Sequence, residues 1–162
     1  MNDFVDPAIF RGVMRRWPSG VTVLTSRADD TIHGMTVSAF SSVSAEPPLV
    51  LVCANRQSTT HEVIEAGGVF AVNILDAAQE AISTRFSIVP GPDRFEGVAW
   101  TAGSTGAPLI DGALAQLECR VRSAHLEGTH TIYIGEVLAG SFRPDGEPLL
   151  YFDGSYRVLD TP

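Results

Sequence analysis

Residues 33–51 of the chain read HGMTVSAFSSVSAEPPLVL, a stretch that predicts one β-strand or two, ending at Pro47-Pro48. A half-buried strand needs one polar face, which long charged side chains usually supply. Here the polar positions are occupied by small hydroxyl residues, namely Thr36, Ser38, Ser41, Ser42 and Ser44. The stretch therefore raises the question of what these hydroxyls contact.

The residues before this stretch predict a helix followed by a strand. Asp6 is placed as the N-cap of the helix, and Pro7 fits its first position. The apolar face of this helix consists of Phe10, Val13, Met14 and Trp17. Pro18 and Gly20 end the helix, and VTVLTS (21–26) is a strand pattern rich in β-branched residues.

The residues after the stretch predict further strands with short helices between some of them. Thr59 and Glu62 fit a capping box at the start of one helix, and Asp76 and Gln79 fit one at the start of another. Residues 88–112 are loop-like, with three prolines and five glycines. The predicted strands are LVLVCA (49–54, fully buried), VFAVNIL (69–75), ALAQLECRVRSAHLEG (113–128), HTIYIGEVLAGSF (130–142) and LLYFDGSY (149–156).

Strands dominate this pattern, and tight turns such as LEGT and RPDGEP join the long ones. Tight turns favour antiparallel pairing, so closure into a small barrel with peripheral helices is favoured over an open parallel sheet. A length of 162 residues predicts a single domain over residues 1–162.

Composition excludes several classes of protein. Apolar residues make up 44% of the chain and charged residues 19%, which is typical of a globular domain. The net charge of −8 argues against general binding to nucleic acid or to anionic membranes, since both need a basic surface. Cys53 and Cys119 are predicted to be free thiols, and the N-terminal residues show no signal-peptide pattern, so we expect a cytoplasmic protein.

Motifs of independent catalytic chemistry are missing from the sequence. It has no G-x-G-x-x-G, Walker loop, C-x-x-C, H-E-x-x-H or G-x-S-x-G pattern, and its four histidines are not at metal-ligand spacing. If the protein is an enzyme, the reactive chemistry is expected to belong to a bound cofactor, and no metal is expected.

Two segments are candidates for holding such a cofactor. A strand with small residues around Thr36 and Ser38 would let a flat ligand approach the backbone. Ser58, Thr59 and Thr60 precede or open a predicted helix, whose N-terminus is suited to an anion such as a phosphate. The residues alone leave the alternatives open, which are helix capping for residues 58–60 and ordinary solvation for the strand hydroxyls.

Five segments, taken in order, resemble the short-chain flavin reductases, the FMN-binding split-barrel reductases that serve two-component monooxygenases. These segments are WPSGVTVLT (17–25), HGMTVSAFSSVSAEPPLVLVCANR (33–56), FAVNIL (70–75), GAPLIDGALAQLECRV (106–121) and GTHTIYIGEV with PLLYFDGSY (128–137, 148–156). The resemblance covers nearly the whole chain. It implies a mainly β fold with peripheral helices, an antiparallel Greek-key split barrel that forms a homodimer.

The resemblance also implies a set of site residues. Those that would contact flavin are Met35, Thr36, Val37, Ser38, Ala39, Cys53, Ala54, Asn55, Ser58, Thr59, Thr60, Arg85 and Phe86, with Ser58 to Thr60 at the phosphate. Those that would contact the nicotinamide cofactor are His130, Asp153, Gly154, Ser155 and Tyr156, with His130 positioning the nicotinamide. No residue is expected to act as a catalytic acid or base. The chain departs from the family pattern at Ser38-Ala39 and at Thr129, where many members have aspartate before the histidine.

The activity implied by the resemblance is NAD(P)H:flavin oxidoreduction, in which hydride passes from the nicotinamide to FMN, or FAD, and reduced flavin is supplied to a partner monooxygenase. FMN is the expected flavin, and the co-substrate is NADH or NADPH. Reduction of ferric chelates by the released flavin is a second outcome on the same scaffold. The alternative from another class is a non-catalytic flavin- or haem-binding barrel that acts as a carrier or sensor.

Overall fold

The computed structural model describes residues 4–159, so residues 1–3 and 160–162 of the expected 1–162 domain lie outside the described range. The α-helices are α1 (Pro7–Met14), α2 (Thr59–Gly67) and α3 (Glu80–Ile88), with 3-10 turns at Ala77–Gln79 and Gly91–Phe95. The strands are β1 (Ser19–Gly20), β2 (Thr22–Ala28), β3 (Thr31–Val37), β4 (Phe40–Ala45), β5 (Pro48–Asn55), β6 (Val69–Ile74), β7 (Trp100–Ala102), β8 (Pro108–Ile110), β9 (Ala115–Glu127), β10 (His130–Phe142), β11 (Leu150–Phe152) and β12 (Ser155–Arg157).

Seven of these strands form one antiparallel sheet in the order β3-β2-β6-β9-β10-β5-β4. Its two edge strands, β3 and β4, are joined by Ser38 and Ala39 alone, a connection that spans no more than about 11 Å from Val37 to Phe40. Opposite edges of the sheet must therefore meet at this connection, which curls the sheet into a barrel. The predicted mainly β, antiparallel split-barrel fold is confirmed. Residues 33–47 of the opening stretch contribute to two strands, β3 and β4, and β5 begins at Pro48.

Two smaller sheets complete the fold. β1, β11 and β12 form an antiparallel sheet of three strands, and β7 pairs with β8. The predicted loop 88–112 is thus more ordered than its glycines and prolines indicate, because it contains a 3-10 turn and a short hairpin. Strands of three residues are too short to show an alternating pattern in the sequence.

Apolar side chains from the long strands form the core inside the barrel, where Leu24, Phe70 and Tyr133 are fully buried. A second buried cluster around Leu75 and Phe86 lies under α3 and the C-terminal strands. β5 alternates between buried and partly exposed residues, so the prediction that LVLVCA is buried throughout was wrong. The partly exposed face includes Leu51, which lines a surface cavity.

Two of the three predicted helix caps are confirmed, those of α1 and of the 3-10 turn before α3. The Asp6 carboxylate accepts a hydrogen bond from the N–H of Ala8, and Asp76 forms the predicted capping box with Gln79. At α2 the cap is Ser58, one residue before the predicted Thr59, because the Ser58 side chain accepts from the N–H of His61. Gly68 ends α2 in the left-handed conformation, with φ of 66°.

The apolar face of α1 is exposed. None of the residues of this helix is buried, and Phe10 and Val13 are 56% and 63% exposed. The helix ends at Met14 and not at the predicted Pro18, so Trp17 lies just beyond it, where it is 72% exposed. The sequence correctly predicts the amphipathic helix, but residues 4–159 of a single chain leave its apolar side uncovered.

Both cysteines are free thiols, as predicted, with Cys119 buried and Cys53 partly exposed. Burial raises the pKa of the Cys119 thiol to about 12. Within residues 4–159 no helix has the length and apolar character needed to cross a membrane.

Candidate functional site

Strand β3 is the common wall of the site, because its two faces contact two different helices. Side chains alternate along a strand, so His33 and Met35 share one face. That face contacts the start of α2, where His33 Nδ1 lies 2.8 Å from Thr60 Oγ1 and the Ser58 hydroxyl lies 3.6 Å from the sulfur of Met35. The first turn of α2 is therefore fixed against β3 by two neighbouring contacts.

The opposite face of β3 contacts α3. The hydroxyl of Thr36 donates to the backbone carbonyl of Ser83 at 2.6 Å. A Cβ at Gly34 would lie 2.9 Å from the ring of Phe86, so this position has no room for a side chain. The hydroxyls of Ser83 and Tyr156 are 2.7 Å apart, which ties the C-terminal strand β12 to the same point.

The connection between β3 and β4 lines the larger of two adjoining cavities. Ser38 and Ala39 are exposed there, and the carbonyl of Ala39 accepts from the N–H of Cys53 at 3.1 Å. The cavity has a volume of about 830 Å³ and is bounded by α1, by residues 38–41 and by the turn between β11 and β12. This volume lies in the range of small-molecule sites. The small hydroxyls at Ser38 and Ser41 thus leave room at a cavity wall.

A second cavity of about 430 Å³ shares part of this wall and lies between β3, α3 and the C-terminal hairpin. Seven of its ten lining residues carry a hydroxyl group, namely Thr36, Ser38, Ser83, Thr84, Ser87, Tyr151 and Tyr156. Sequence reasoning missed Ser83, which joins three elements here. Its location inside a predicted helix gave no signal, since the contacts come from strands distant in the sequence.

The first turn of α2 has the features of an anion site. The Ser58 hydroxyl donates to the carbonyl of Asn55 at 2.7 Å and accepts from the N–H of His61 at 3.1 Å. The N–H groups of Thr59 and Thr60 belong to the first turn, where an α-helix offers them no internal acceptor. The positive end of the helix dipole adds to the attraction for an anion at this place.

The three hydroxyls predicted at this turn have different environments. Thr59 is exposed, whereas the side chain of Thr60 is fully buried and bonded to His33. Thr60 can therefore offer an anion its backbone N–H but not its hydroxyl. Burial and the nearby Arg94 guanidinium lower the pKa of His33, and Glu62 acts in the opposite direction.

His130 lies beside this turn. It stands opposite Asn55 in the pairing of β10 with β5, and the carbonyl of Thr129 accepts from the N–H of Arg56 at 3.0 Å. The imidazole is exposed, and its Nδ1 lies 2.9 Å from the hydroxyl of Thr129. Thr129 can therefore orient the histidine at the position where the sequence departs from the family pattern.

Asp153 and Gly154 form the turn between β11 and β12 and line the larger cavity with Ser38 and Ala39. Asp153 is held to the end of α1, where its N–H donates to the carbonyl of Arg15 at 3.1 Å and its carboxylate lies 3.4 Å from the guanidinium of Arg16. Ser155 is exposed on β12. The cavity and the α2 turn with His130 are thus two regions, which β3 and β5 connect.

Four predicted residues present little side chain to a ligand. Val37, Ala54 and Phe86 are buried in the core, so their side chains are not open to a cofactor. Arg85 is partly exposed, and its guanidinium donates to the carbonyls of Asp93 and Arg94. A cofactor contact at Arg85 stays a prediction.

The fold and the clefts on it define the class of antiparallel split β-barrel proteins. Within this class the chain belongs to the family of the flavin reductase like domain, whose model matches residues 14–160.

Two curated relatives and one solved structure illustrate the family. The reductase subunit of a flavin-dependent monooxygenase from Mycobacterium tuberculosis is 39% identical, over 99% of this chain and 86% of the relative. An NADH-dependent FMN reductase from Agrobacterium fabrum is 38% identical, over 93% of this chain and 87% of the relative. The structure of the NADH:FAD oxidoreductase of Streptomyces globisporus superposes with a TM-score of 0.92 at 38% identity, over 99% of both chains, and that protein has also been solved in complex with NAD and FAD fragments.

Proposed function

We propose that this protein is an NAD(P)H-dependent flavin reductase that reduces FMN or FAD and supplies the reduced flavin to a partner monooxygenase. The observation that carries the proposal is the contact of β3 with the first turn of α2, through Met35 and Ser58. It joins a strand edge suited to a flat ring with a helix N-terminus suited to a phosphate. The related reductases named above support the same reaction.

The residues present fit a phosphorylated flavin. The backbone N–H groups of Thr59 and Thr60 and the exposed hydroxyl of Thr59 would hold the phosphate. Residues 35–39 and 53–55 would lie along the ring and the ribityl chain, where Ser38 and Ala39 present small side chains at an open cavity wall. Hydrogen-bond donors of the backbone near the ring would favour its reduced, anionic form.

The nicotinamide side of the reaction is proposed for His130 and for residues 153–156. The flavin and the nicotinamide themselves supply the hydride chemistry when bound, with transfer from C4 of the nicotinamide to N5 of the flavin. The protein would hold the two rings in contact, and such positioning can supply several kcal/mol of the barrier. His130 is assigned to positioning and to no proton transfer.

We also propose that residues 1–162 form one domain and that the protein is a homodimer. The dimer is supported by the uncovered apolar side chains of α1 and of the turn after it, because Phe10, Val13 and Trp17 are more than half exposed. A second copy of the chain would bury this face. The two free thiols are compatible with the cytoplasmic location proposed for the protein.

The test is a turnover assay with purified protein, FMN or FAD, and NADH or NADPH, in all four combinations. Loss of nicotinamide absorbance at 340 nm that depends on both flavin and protein would support the reductase. Tight flavin binding without turnover for any pair would contradict it and favour the carrier function.

A further inference from the structure

His33 and Thr60 form a polar pair in the interior of the protein, directly beneath the first turn of α2. His33 is 4% exposed and Thr60 is fully buried. The Nδ1 atom of His33 lies 2.8 Å from the hydroxyl oxygen of Thr60, within hydrogen-bond distance. A buried polar pair of this kind requires both partners, because removing one leaves the other unsatisfied.

The groups around His33 favour its neutral form. On the side of the 3-10 turn, the Arg94 guanidinium donates to the carbonyl of Gly34 at 2.6 Å, next to His33. Burial and, after it, Arg94 lower the pKa of the imidazole, and Glu62 on α2 opposes them. Within residues 4–159 the other ring nitrogen, Nε2, is buried without a hydrogen-bond partner. The bond to Thr60 is therefore the polar contact that the ring makes in this part of the chain.

Together with Ser58, this pair fixes the orientation of the turn. Ser58 binds the carbonyl of Asn55 on β5 and contacts Met35 on β3, so the cap residue is held from two strands. Thr60, two residues further on, is held from β3 by His33. Thr59 lies between these two attachments and is exposed.

We propose that His33 is a positioning residue for phosphate binding: through Thr60 it fixes the first turn of α2 so that the N–H groups of Thr59 and Thr60 meet the flavin phosphate. This rests on the proposed function. His33 does not contact the phosphate, and its effect on affinity is transmitted through the hydroxyl of Thr60.

The experiment compares FMN with riboflavin, which has the same ring and ribityl chain but no phosphate. Dissociation constants for both are measured by isothermal titration calorimetry on wild type, His33→Leu, His33→Asn, Thr60→Val and Thr60→Ser. Asparagine can place a polar atom where Nδ1 stands, and serine retains the hydroxyl, so these two are the conservative variants. His33→Leu and Thr60→Val are expected to raise the dissociation constant of FMN by about tenfold and that of riboflavin by less than about twofold. His33→Asn and Thr60→Ser should restore most of the FMN affinity.

A matched control separates positioning from a general loss of stability. Ser26 stands opposite His33 on β2, and its hydroxyl donates to the carbonyl of Val69 on β6 at 2.7 Å and not to a residue of the α2 turn. Ser26→Ala is expected to lower the free energy of unfolding and leave the ratio of FMN to riboflavin affinity unchanged. If the ratio of FMN to riboflavin affinity falls as much in Ser26→Ala as in His33→Leu, the proposal is overturned.

The outcome also distinguishes failure of this inference from failure of the proposed function. A wild-type preference for FMN over riboflavin that His33→Leu leaves intact would overturn the role of His33 alone. If wild type binds FMN no more tightly than riboflavin, there is no phosphate site at α2 and this inference fails with it. If neither of these flavins binds, FAD is titrated as well, and absence of binding for all three refutes the proposed function itself.

Discussion

The phenolic hydroxyl of Tyr156 lies 2.7 Å from the hydroxyl of Ser83, and the backbone carbonyl of Ser83 accepts the hydroxyl of Thr36. A strand near the end of the chain, a helix from its middle and a strand from its first quarter therefore meet at one residue. This is the point at which the proposed nicotinamide segment is joined to the wall of the proposed flavin site.

Tyr156→Phe removes this junction and retains the ring. We expect a severalfold increase in KM for NADH and little change in kcat, because β12 loses one hydrogen bond, worth about 1 kcal/mol, to α3. Steady-state kinetics check this. Ser83→Ala should give the same increase, and the double variant no more than either single one. Additive effects would contradict a direct link between the two hydroxyls.

His130→Ala is expected to raise KM for the nicotinamide cofactor and to leave flavin affinity nearly unchanged. Thr129→Val should reproduce part of this effect, because it removes the hydroxyl 2.9 Å from the imidazole. Thr129→Asp retains an oxygen acceptor and serves as the matched control, with KM close to that of wild type. A change of flavin affinity in His130→Ala, with KM for the nicotinamide unaltered, would refute the assignment.

Ser58→Ala removes the observed cap of α2. We expect a loss of about 1 kcal/mol in the free energy of unfolding, measured in urea, because the N–H of His61 loses its acceptor. Thr59→Ala should leave the stability nearly unchanged, since the exposed hydroxyl of Thr59 has no capping role. The same substitution should weaken the binding of FMN. An unchanged dissociation constant for FMN in Thr59→Ala would remove that hydroxyl from the phosphate site.

The fold should lose stability as the pH falls below about 6.5, the ordinary pKa of histidine. The pKa of His33 is lowered in the folded protein, so between that value and 6.5 the unfolded chain binds more protons. The contribution of His33 to the free energy of unfolding is therefore fully present above pH 6.5 and is lost as the pH falls toward the pKa of His33 in the folded protein. Urea unfolding at about pH 7.5 and about pH 5.5 measures the difference.

His33→Asn, which has no titratable group, should show a smaller loss of stability between these two pH values than wild type. The pKa of Glu118 is lowered by hydrogen bonds from residues 104 and 105. Its contribution is present above its ordinary value of 4.5 and is lost at more acidic pH, outside this window. If the loss of stability between the two pH values is equal in wild type and His33→Asn, His33 does not titrate in this pH range.

Gly34→Ala is expected to destabilise the protein by about 1–3 kcal/mol. The new methyl group would lie 2.9 Å from the buried ring of Phe86 and 3.1 Å from the carbonyl oxygen of Leu24, and neither can move freely. Gly12→Ala is the matched control. It lies inside α1 with nothing within 4 Å of the new methyl, so it should stabilise by about 0.5–1 kcal/mol. Thermal unfolding of both variants tests the pair.

Local sequence patterns predicted the start of a helix correctly where the capping residues fit only one position. Asp6 with Pro7 marks the start of α1, and Asp76 with Gln79 forms the capping box of the 3-10 turn at Ala77–Gln79, which leads into α3. Ser58 was missed as a cap because Thr59 with Glu62 fits the same rule one residue later. Only the contacts of Ser58 with Asn55 and His61 distinguish the two registers.

By itself the sequence determined the antiparallel strands, the helix starts and the two hydroxyl-rich segments, because alternation and capping depend on residues a few positions apart. The tertiary structure decided what those hydroxyls contact. It directs Thr36 to α3, Thr60 inward to His33 and Ser38 to an open cavity. These outcomes depend on the closure of the sheet, which brings together residues far apart in the chain, and no local pattern encodes which of them meet.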